Sequence, residues 1–254
     1  MQNIDLKDRY NEVFKTGAEN FFSFSSFPEG RVITEMIDNW KGLSVLDIGC
    51  GEGELAAMLQ FAGVANVDGI DFSQEAITNA KNNYSLKNVS FECMDFRKST
   101  KTYDVVTMLG VLEHFDKPFD GLRTILKNNV KPGGSIVTSS PSFLNPRGYI
   151  WMTLQLLFDV PMSLTDLHFL CPFDFEAFCK KESLCLEIKS ANQDMGSGKA
   201  GVYDLKKRLT NALKDANFDN SKVDKLLAWL DQAGPYFHKD ENTGASVVYK
   251  ITKP

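Results

Sequence analysis

Residues Val45–Leu55 read VLDIGCGEGEL, with glycines at 49, 51 and 53 and acids at 47, 52 and 54. Glycine lets a ligand approach the backbone closely because no Cβ intervenes. A glycine-rich turn that opens a helix ordinarily holds phosphate. The acids oppose that use, since Asp47 and Glu52 would raise the energy of a pyrophosphate beside them. A dinucleotide fingerprint, G-x-G-x-x-G, counted from Gly49 and Gly51 needs a third glycine where Glu54 stands. The lysine of a phosphate-binding loop is missing too. What remains is a ligand without phosphate that carries positive charge. The chain holds three histidines, His114, His168 and His238, and histidine is the natural proton acceptor near neutral pH.

These residues need elements to position them. The apolar run LSVLDI ends at Gly49 and predicts a buried strand. GELAAMLQFAG follows with helical spacing and stops at Gly63. ANVDGID predicts the second strand, and Ser73 the N-cap of a helix QEAITNAKNNY with Glu75 in its first turn. VSFECMD, YDVVTML and GSIVTSSP predict further strands, with a helix FDGLRTILKNNV before the last of them. Beyond these, PFDFEAFCKKES reads as a helix, and LCLEIKSA and ASVVYKIT as strands. Strands alternating with helices imply a doubly wound, mostly parallel α/β sheet. Ligands bind such sheets at the carboxyl ends of the strands, which is where the glycine turn lies. Residues 1–40 are expected to form an N-terminal helical cap, and 41–254 the ligand-binding domain. Two long insertions, at about 141–172 and 193–244, are candidate covers of the site.

VLDIGCGEGEL closely resembles the first motif of the class I S-adenosylmethionine-dependent methyltransferases. S-adenosylmethionine, with its sulfonium and ammonium, is the kind of ligand the acids favour. Further resemblance runs through the strand end at Asp71, the CMDF segment, YDVVTMLGVLEHF and VKPGGSIVTSSPS, strongest over residues 43–140. DLHFLCPFDFEAFCKKESLCLEI is similar to the family's later His-x-x-x-Pro, helix and strand segment. The resemblance implies a Rossmann-like seven-stranded sheet with the last strand antiparallel. It places the cofactor on Asp47, Gly49, Cys50 and Gly51. Asp71 would accept the ribose hydroxyls, Phe72 would pack on the adenine, and Asp95 with the Phe96 N–H would contact the adenine edge. Leu109 would line the methionine part.

The family's reaction is an in-line displacement in which the enzyme mainly supplies orientation. An alcohol or ammonium acceptor must also lose a proton, and His114 then His168 are the candidate catalytic bases. His238 is expected to be an ordinary side chain. Ubiquinone-biosynthesis O-methyltransferases carry E-x-x-E-H at this point and use it with a divalent cation. Here the run is GVLEH, so the first acid is replaced by Gly110 and no metal site is carried over. The Pro-Pro-aromatic run of amino-directed DNA methyltransferases is absent, and Cys171 precedes Pro172 rather than following a proline as in the cytosine-directed enzymes. Phe21, Phe22, Phe24, Tyr149 and Trp151 are candidate walls of an acceptor pocket, and Arg147 a candidate partner for an anionic group.

Bulk properties narrow the partners. The 254-residue chain has net charge −5, 43% apolar and 24% charged residues, an ordinary globular composition with no general basic field for nucleic acid or anionic membrane. The odd count of five cysteines without a CxxC pair implies reduced thiols and a cytoplasmic protein. The N-terminus lacks an apolar signal region, and the longest apolar stretch is too interrupted to span a bilayer. The expectation is an S-adenosylmethionine-dependent O-methyltransferase of a small molecule such as a sugar, nucleotide sugar or secondary metabolite. It would be a monomer or homodimer without nucleic-acid or membrane partners. The alternatives are N-methylation of a small amine, aminopropyl transfer from the decarboxylated donor, and a non-catalytic S-adenosylmethionine-binding subunit.

Overall fold

The computed structural model describes residues 3–16, 28–161 and 166–254. Seven strands make one sheet: β1 (Ser44–Ile48), β2 (Asn66–Asp71), β3 (Val89–Cys93), β4 (Tyr103–Leu109), β5 (Val130–Pro141), β6 (Cys185–Ala191) and β7 (Ser246–Thr252). Their order is β3-β2-β1-β4-β5-β7-β6. The first five are parallel, and β7 runs antiparallel between β5 and β6. The order reverses between β1 and β4, so their carboxyl ends form the switch-point crevice.

The helices are α1 (Asn3–Thr16), α2 (Pro28–Glu35), α3 (Glu54–Phe61), α4 (Gln74–Asn83), α5 (Pro118–Asn128), α6 (Pro146–Phe158), α7 (Pro172–Glu182), α8 (Gln193–Ser197), α9 (Lys199–Asp215) and α10 (Val223–Ala233). The predicted cap of α4 forms, with Ser73 Oγ accepting the Ala76 N–H at 3.2 Å. β5 starts earlier than GSIVTSSP implies. Its pairing with β4 slips between Tyr103 and Val105, which admits Pro132 and Gly133, the latter at φ +74°. A proline and a positive-φ glycine do not read as strand in sequence, yet a bulge accommodates both.

Alternate residues of a strand face opposite sides of a sheet, and both faces here are covered. Leu46, Ile48, Val106, Met108, Tyr249 and Ile251 pack with Leu122, Ile125, Phe175 and Phe178 of α5 and α7. Val45, Val67, Val105, Val137 and Val248 pack with Ile33, Leu59 and Ile77 of α2, α3 and α4. Helix α2 therefore belongs to the main core, with Ile33 fully buried. Of the described part of the segment expected as a cap, α1 lies at the strand ends, where Tyr10 meets His114 and Asn11 meets Ser73.

The two insertions form one body. Phe143, Trp151 and Cys171 from the first and Leu205, Leu209, Val223, Leu227 and Leu230 from the second share a third apolar cluster. A buried ion pair, Arg147 Nε to Asp204 Oδ2 at 2.8 Å, ties α6 to α9. Its position on the α6 side is set by Asn145, which caps α6 through the Gly148 N–H at 2.8 Å and donates to the Gly244 carbonyl at 2.9 Å. Among the described residues no helix is long and apolar enough to cross a membrane.

Candidate functional site

The glycine turn is fixed by backbone bonds to the neighbouring strand. The N–H groups of Gly49 and Cys50 both donate to the Ile70 carbonyl, at 2.8 and 3.1 Å. Gly49 has φ +69°, and a Cβ there would lie 2.4 Å from Val111 Cγ2 of the loop after β4. Gly51, at φ +52°, gives its N–H to Asp71 Oδ2 at 3.1 Å. Cys50 is buried, and burial together with Asp47 keeps its thiol neutral.

The four acids of the site divide by role. Asp47, 1% exposed, accepts from Thr107 Oγ1 at 2.7 Å through Oδ1. Its Oδ2 is buried without a hydrogen-bond partner among the described residues. Burial pushes its pKa up to about 7, against the Thr107 bond and with help from Asp71 and Glu54. A buried carboxylate oxygen left unpaired is costly, and an ammonium group is the donor that would satisfy it. Asp71 is held by the N–H groups of Gly51 and Ser73, the latter at 2.8 Å on Oδ1. The Phe72 N–H adds to these, and a carboxylate has about four lone-pair sites, so capacity for hydroxyls remains. Glu52 turns away and accepts from Asn79 Nδ2 at 2.7 Å. Glu54 sits in the first turn of α3, where the helix dipole favours an acid, although burial raises its pKa.

The remaining expected cofactor residues lie around the same strand ends. Phe72 is 37% exposed and meets Tyr10 edge-on, centroids 6.0 Å apart. Asp95 follows β3, with both oxygens engaged by Arg97: its Nε lies at 2.9 and 3.0 Å, and its N–H at 2.9 Å from Oδ1. That pair lowers the Asp95 pKa, and an adenine amine would share the carboxylate with it. The Phe96 ring stacks on Phe115 at 4.8 Å. Leu109 ends β4, half-buried.

His114 lies in a short turn after β4. Its Nε2 is 3.0 Å from the Tyr10 hydroxyl, and its Nδ1 is 4.0 Å from Asp166 Oδ1. Its neighbour Glu113, 3% exposed, accepts from Ser140 Oγ at 3.3 Å. Burial, with Asp166 and Glu29 adding repulsion, pushes Glu113 up to about 8. One carboxylate oxygen each from Glu113 and Asp166 and one ring nitrogen of His114 lie within 4.8 Å of one another. His168 has another use. Its Nε2 meets the Asp116 carbonyl at 3.2 Å, and its N–H and that of Leu167 donate to the Glu113 carbonyl at 3.2 and 3.0 Å. His168 holds the loop that carries Asp166.

Other candidates do not gather here. His238 is an exposed partner of Asp240 at 3.2 Å. Tyr149 is exposed, and Trp151 packs inside the insertion body under Arg147, whose guanidinium carbon is 4.5 Å from its ring centre. Arg147 is buried and already paired with Asp204. Phe21, Phe22 and Phe24 lie outside the described residues.

The sequence gives no signal for two residues at the site, Thr107 and Asp166, and it places α1 in the expected cap without showing which of its residues reach the site. Asn11 accepts from Ser73 Oγ at 2.6 Å, the Phe14 carbonyl accepts from Asn79 Nδ2 at 3.2 Å, and a Cβ on Gly51 would lie 3.7 Å from the Phe14 ring. Helix α1 thus lies across the glycine turn and ends its reach at His114. The spacing Tyr10, Val13, Phe14 is the i, i+3, i+4 stripe of an amphipathic helix, a signal for a covering helix but not for what it covers.

The family described as "Methyltransferase domain" matches residues 19–192. A ubiquinone biosynthesis O-methyltransferase of Neisseria meningitidis is 31% identical over 155 residues, 57% of this chain and 64% of that protein. The match thus spans less than two thirds of that curated relative's length. A chain of the complex between the Haloferax volcanii Trm112 methyltransferase activator and the putative methyltransferase superposes with TM-score 0.66 at 15% identity, covering 96% of this chain and 97% of that one. Haemonchus contortus phosphoethanolamine N-methyltransferase 2 gives TM-score 0.63 at 17% identity, over 100% of this chain and 61% of the other. At these identities the superpositions speak for the fold.

Proposed function

The chain belongs to the class I S-adenosylmethionine-dependent methyltransferase family, and from that premise we propose that it moves a methyl group from S-adenosylmethionine to an oxygen of a small molecule beside His114. The observation that carries the reading is Asp47 Oδ2, buried at the crevice floor with no partner among the described residues. The donor's ammonium group fits it, Asp71 takes the ribose hydroxyls, and Phe72 flanks the adenine. No phosphate is needed, and the acids exclude one.

In the transfer, the sulfonium–methyl bond breaks as the oxygen–methyl bond forms, and the electron pair stays on sulfur. The product is the neutral thioether S-adenosylhomocysteine, and the hydroxyl proton leaves on the His114 side. Orientation supplies much of the acceleration: α1 above and the loop after β4 below define the approach. Tyr10 holds the His114 ring at Nε2, and His114 is the residue assigned to the acceptor's proton. His168 serves by holding the Asp166 loop.

The acceptor's oxygen, rather than nitrogen, is supported by the O-methyltransferase relatives and by the presence of a group for the proton. Calorimetry with S-adenosylmethionine, its decarboxylated form and NADH tests the donor. The intact donor should bind tightest, because only it carries both the ammonium and the α-carboxylate. Preference for either other ligand ends the reading. A methyl-labelling screen over hydroxylated and amine acceptors then separates O- from N-transfer. Donor binding with no labelled product across the screen would favour a non-catalytic subunit.

A further inference from the structure

The loop after β4 carries Glu113 and His114 but lacks an acid at position 110. A Cβ on Gly110 would lie 3.6 Å from Glu113 Oε1, so a side chain there would project toward the same carboxylate. The structure brings an acid to this place from another element. Glu113's own carbonyl accepts from the Leu167 and His168 N–H groups, and this pins the residue before them, Asp166, against His114. Asp166 and His114 are each 12% exposed at the side chain, and Glu113 is buried.

We propose that Glu113, His114 Nδ1 and Asp166 form a divalent-cation site, with Asp166 supplying the ligand that Gly110 does not. Three features support it. The ligand atoms lie within 4.8 Å of one another, and ligands on opposite sides of one ion at ~2.1–2.4 Å span about that distance. Two of the three ligands are carboxylates, the donors that suit Mg²⁺ or Mn²⁺. The other ring nitrogen, Nε2, is held by Tyr10 at 3.0 Å. Metal-bound histidines are oriented in this way, through a hydrogen bond at the nitrogen that does not coordinate.

The site stands on this geometry; its catalytic consequence rests on the oxygen-acceptor reading above. When bound, a divalent cation lowers the pKa of an oxygen acid beside it. With an ion bound, His114 would hold the metal and the acceptor's proton would pass to water on the same side; without the ion, the imidazole is the proton acceptor. Tyr10 is a positioning residue in this arrangement.

The test is titration of the full chain with Mn²⁺, read by loss of the free-ion electron paramagnetic resonance signal. The parent should bind one ion. Asp166→Asn should weaken binding at least about tenfold while keeping the parent's affinity for S-adenosylhomocysteine, which shows that the variant is folded. Tyr10→Phe should weaken it by a smaller factor. No Mn²⁺ binding by the parent, or equal binding by Asp166→Asn, overturns the site. Loss of S-adenosylhomocysteine binding by the parent would instead sink the methyltransferase reading and leave the ion result to stand by itself.

Discussion

On the donor side of the crevice, from β1 to β3, the groups assigned to the donor are backbone, short acids and Phe72, all placed by the strand ends. Asp47 and Thr107 meet because β1 and β4 pair Asp47 with Thr107, and Asp71 meets the glycine turn because β2 ends beside it. On the acceptor side, from β4 to β7, the groups meet through α1 and the insertions rather than through strand register. Tyr10 of α1 reaches His114, His168 reaches the Asp116 carbonyl, and Arg147 of one insertion pairs with Asp204 of the other behind them. One side is specified by a local motif; the other exists only once the N-terminal helix and both insertions have docked. Substitutions on the two sides should therefore separate donor binding from turnover and from stability.

The largest separation should come from His114→Ala. It removes the residue assigned to the acceptor's proton without touching the glycine turn. Turnover should fall by about 10²–10⁴-fold, with the affinity for S-adenosylhomocysteine within about twofold of the parent. If donor affinity collapses with turnover, the two sides are one cooperative unit and the contrast fails.

Asp47→Asn should do the reverse. It removes the charge that faces the donor's ammonium, and donor affinity should drop about a hundredfold, the range for a charge-assisted hydrogen bond in a buried site. The free protein should respond oppositely. The Asp47 pKa stands at about 7 against 3.8 for the ordinary group, so between those values the folded state keeps a proton that the unfolded state has lost. Stability from this group therefore falls as pH rises from about 4 to about 7 and is level above. Asparagine does not titrate, so Asp47→Asn should be more stable than the parent at pH 8, by up to about 4 kcal/mol, with the gap closing toward pH 4. Parent donor affinity should rise over the same window as Asp47 ionises. Denaturant melts and calorimetry at three pH values check both signs, and an Asp47→Asn protein less stable than the parent at pH 8 would contradict the buried, unpaired oxygen.

Asp204→Ala probes the insertion body. Both side chains of the Arg147–Asp204 pair are 10% exposed, and Arg208 also uses this carboxylate, at 2.9 Å. Removing one partner of a buried pair strands the other charge, at a cost of about 3 kcal/mol or more. The melting temperature should fall, and protease sensitivity should appear first in residues 193–244. Donor affinity should hold. A parallel loss of donor affinity would show that the insertion body supports the glycine turn.

The same division explains what could be read in the sequence. The strands and the α4 cap follow from apolar alternation and from Ser73, both local. The donor acids follow from a motif whose residues are neighbours in the chain. Asp166 has no such signature: it is one acid in an insertion, brought beside His114 because Glu113's carbonyl accepts from the next two N–H groups. Tyr149 and Trp151 misled for the converse reason. Their aromatic character fits a pocket wall, a solvent face or a helix core equally well, and the register of α6 on α9 decides which. β5 reads short in the sequence because Pro132 and Gly133 break strand character locally, while the sheet absorbs them as a bulge.

The smallest expected effects lie where the two sides touch, at α1 over α4. Ser73 Oγ has two partners there: it accepts the Ala76 N–H to cap α4, and it donates to Asn11 Oδ1 of α1. Ser73→Ala removes both bonds, and loss of the cap alone should lower stability by about 1 kcal/mol. Asn11→Ala removes only the bond to α1. If α1 is a cover over a preformed donor site, Asn11→Ala should leave the melting temperature near the parent's and speed donor release a few-fold. Ser73→Ala should show that faster release together with the stability loss. Stopped-flow release of S-adenosylhomocysteine distinguishes the contributions. Equal release rates in Asn11→Ala and the parent would mean that α1 is held over the donor by Phe14 and Tyr10 alone. The N-terminal helix would then belong entirely to the acceptor side, whose contact with His114 it makes.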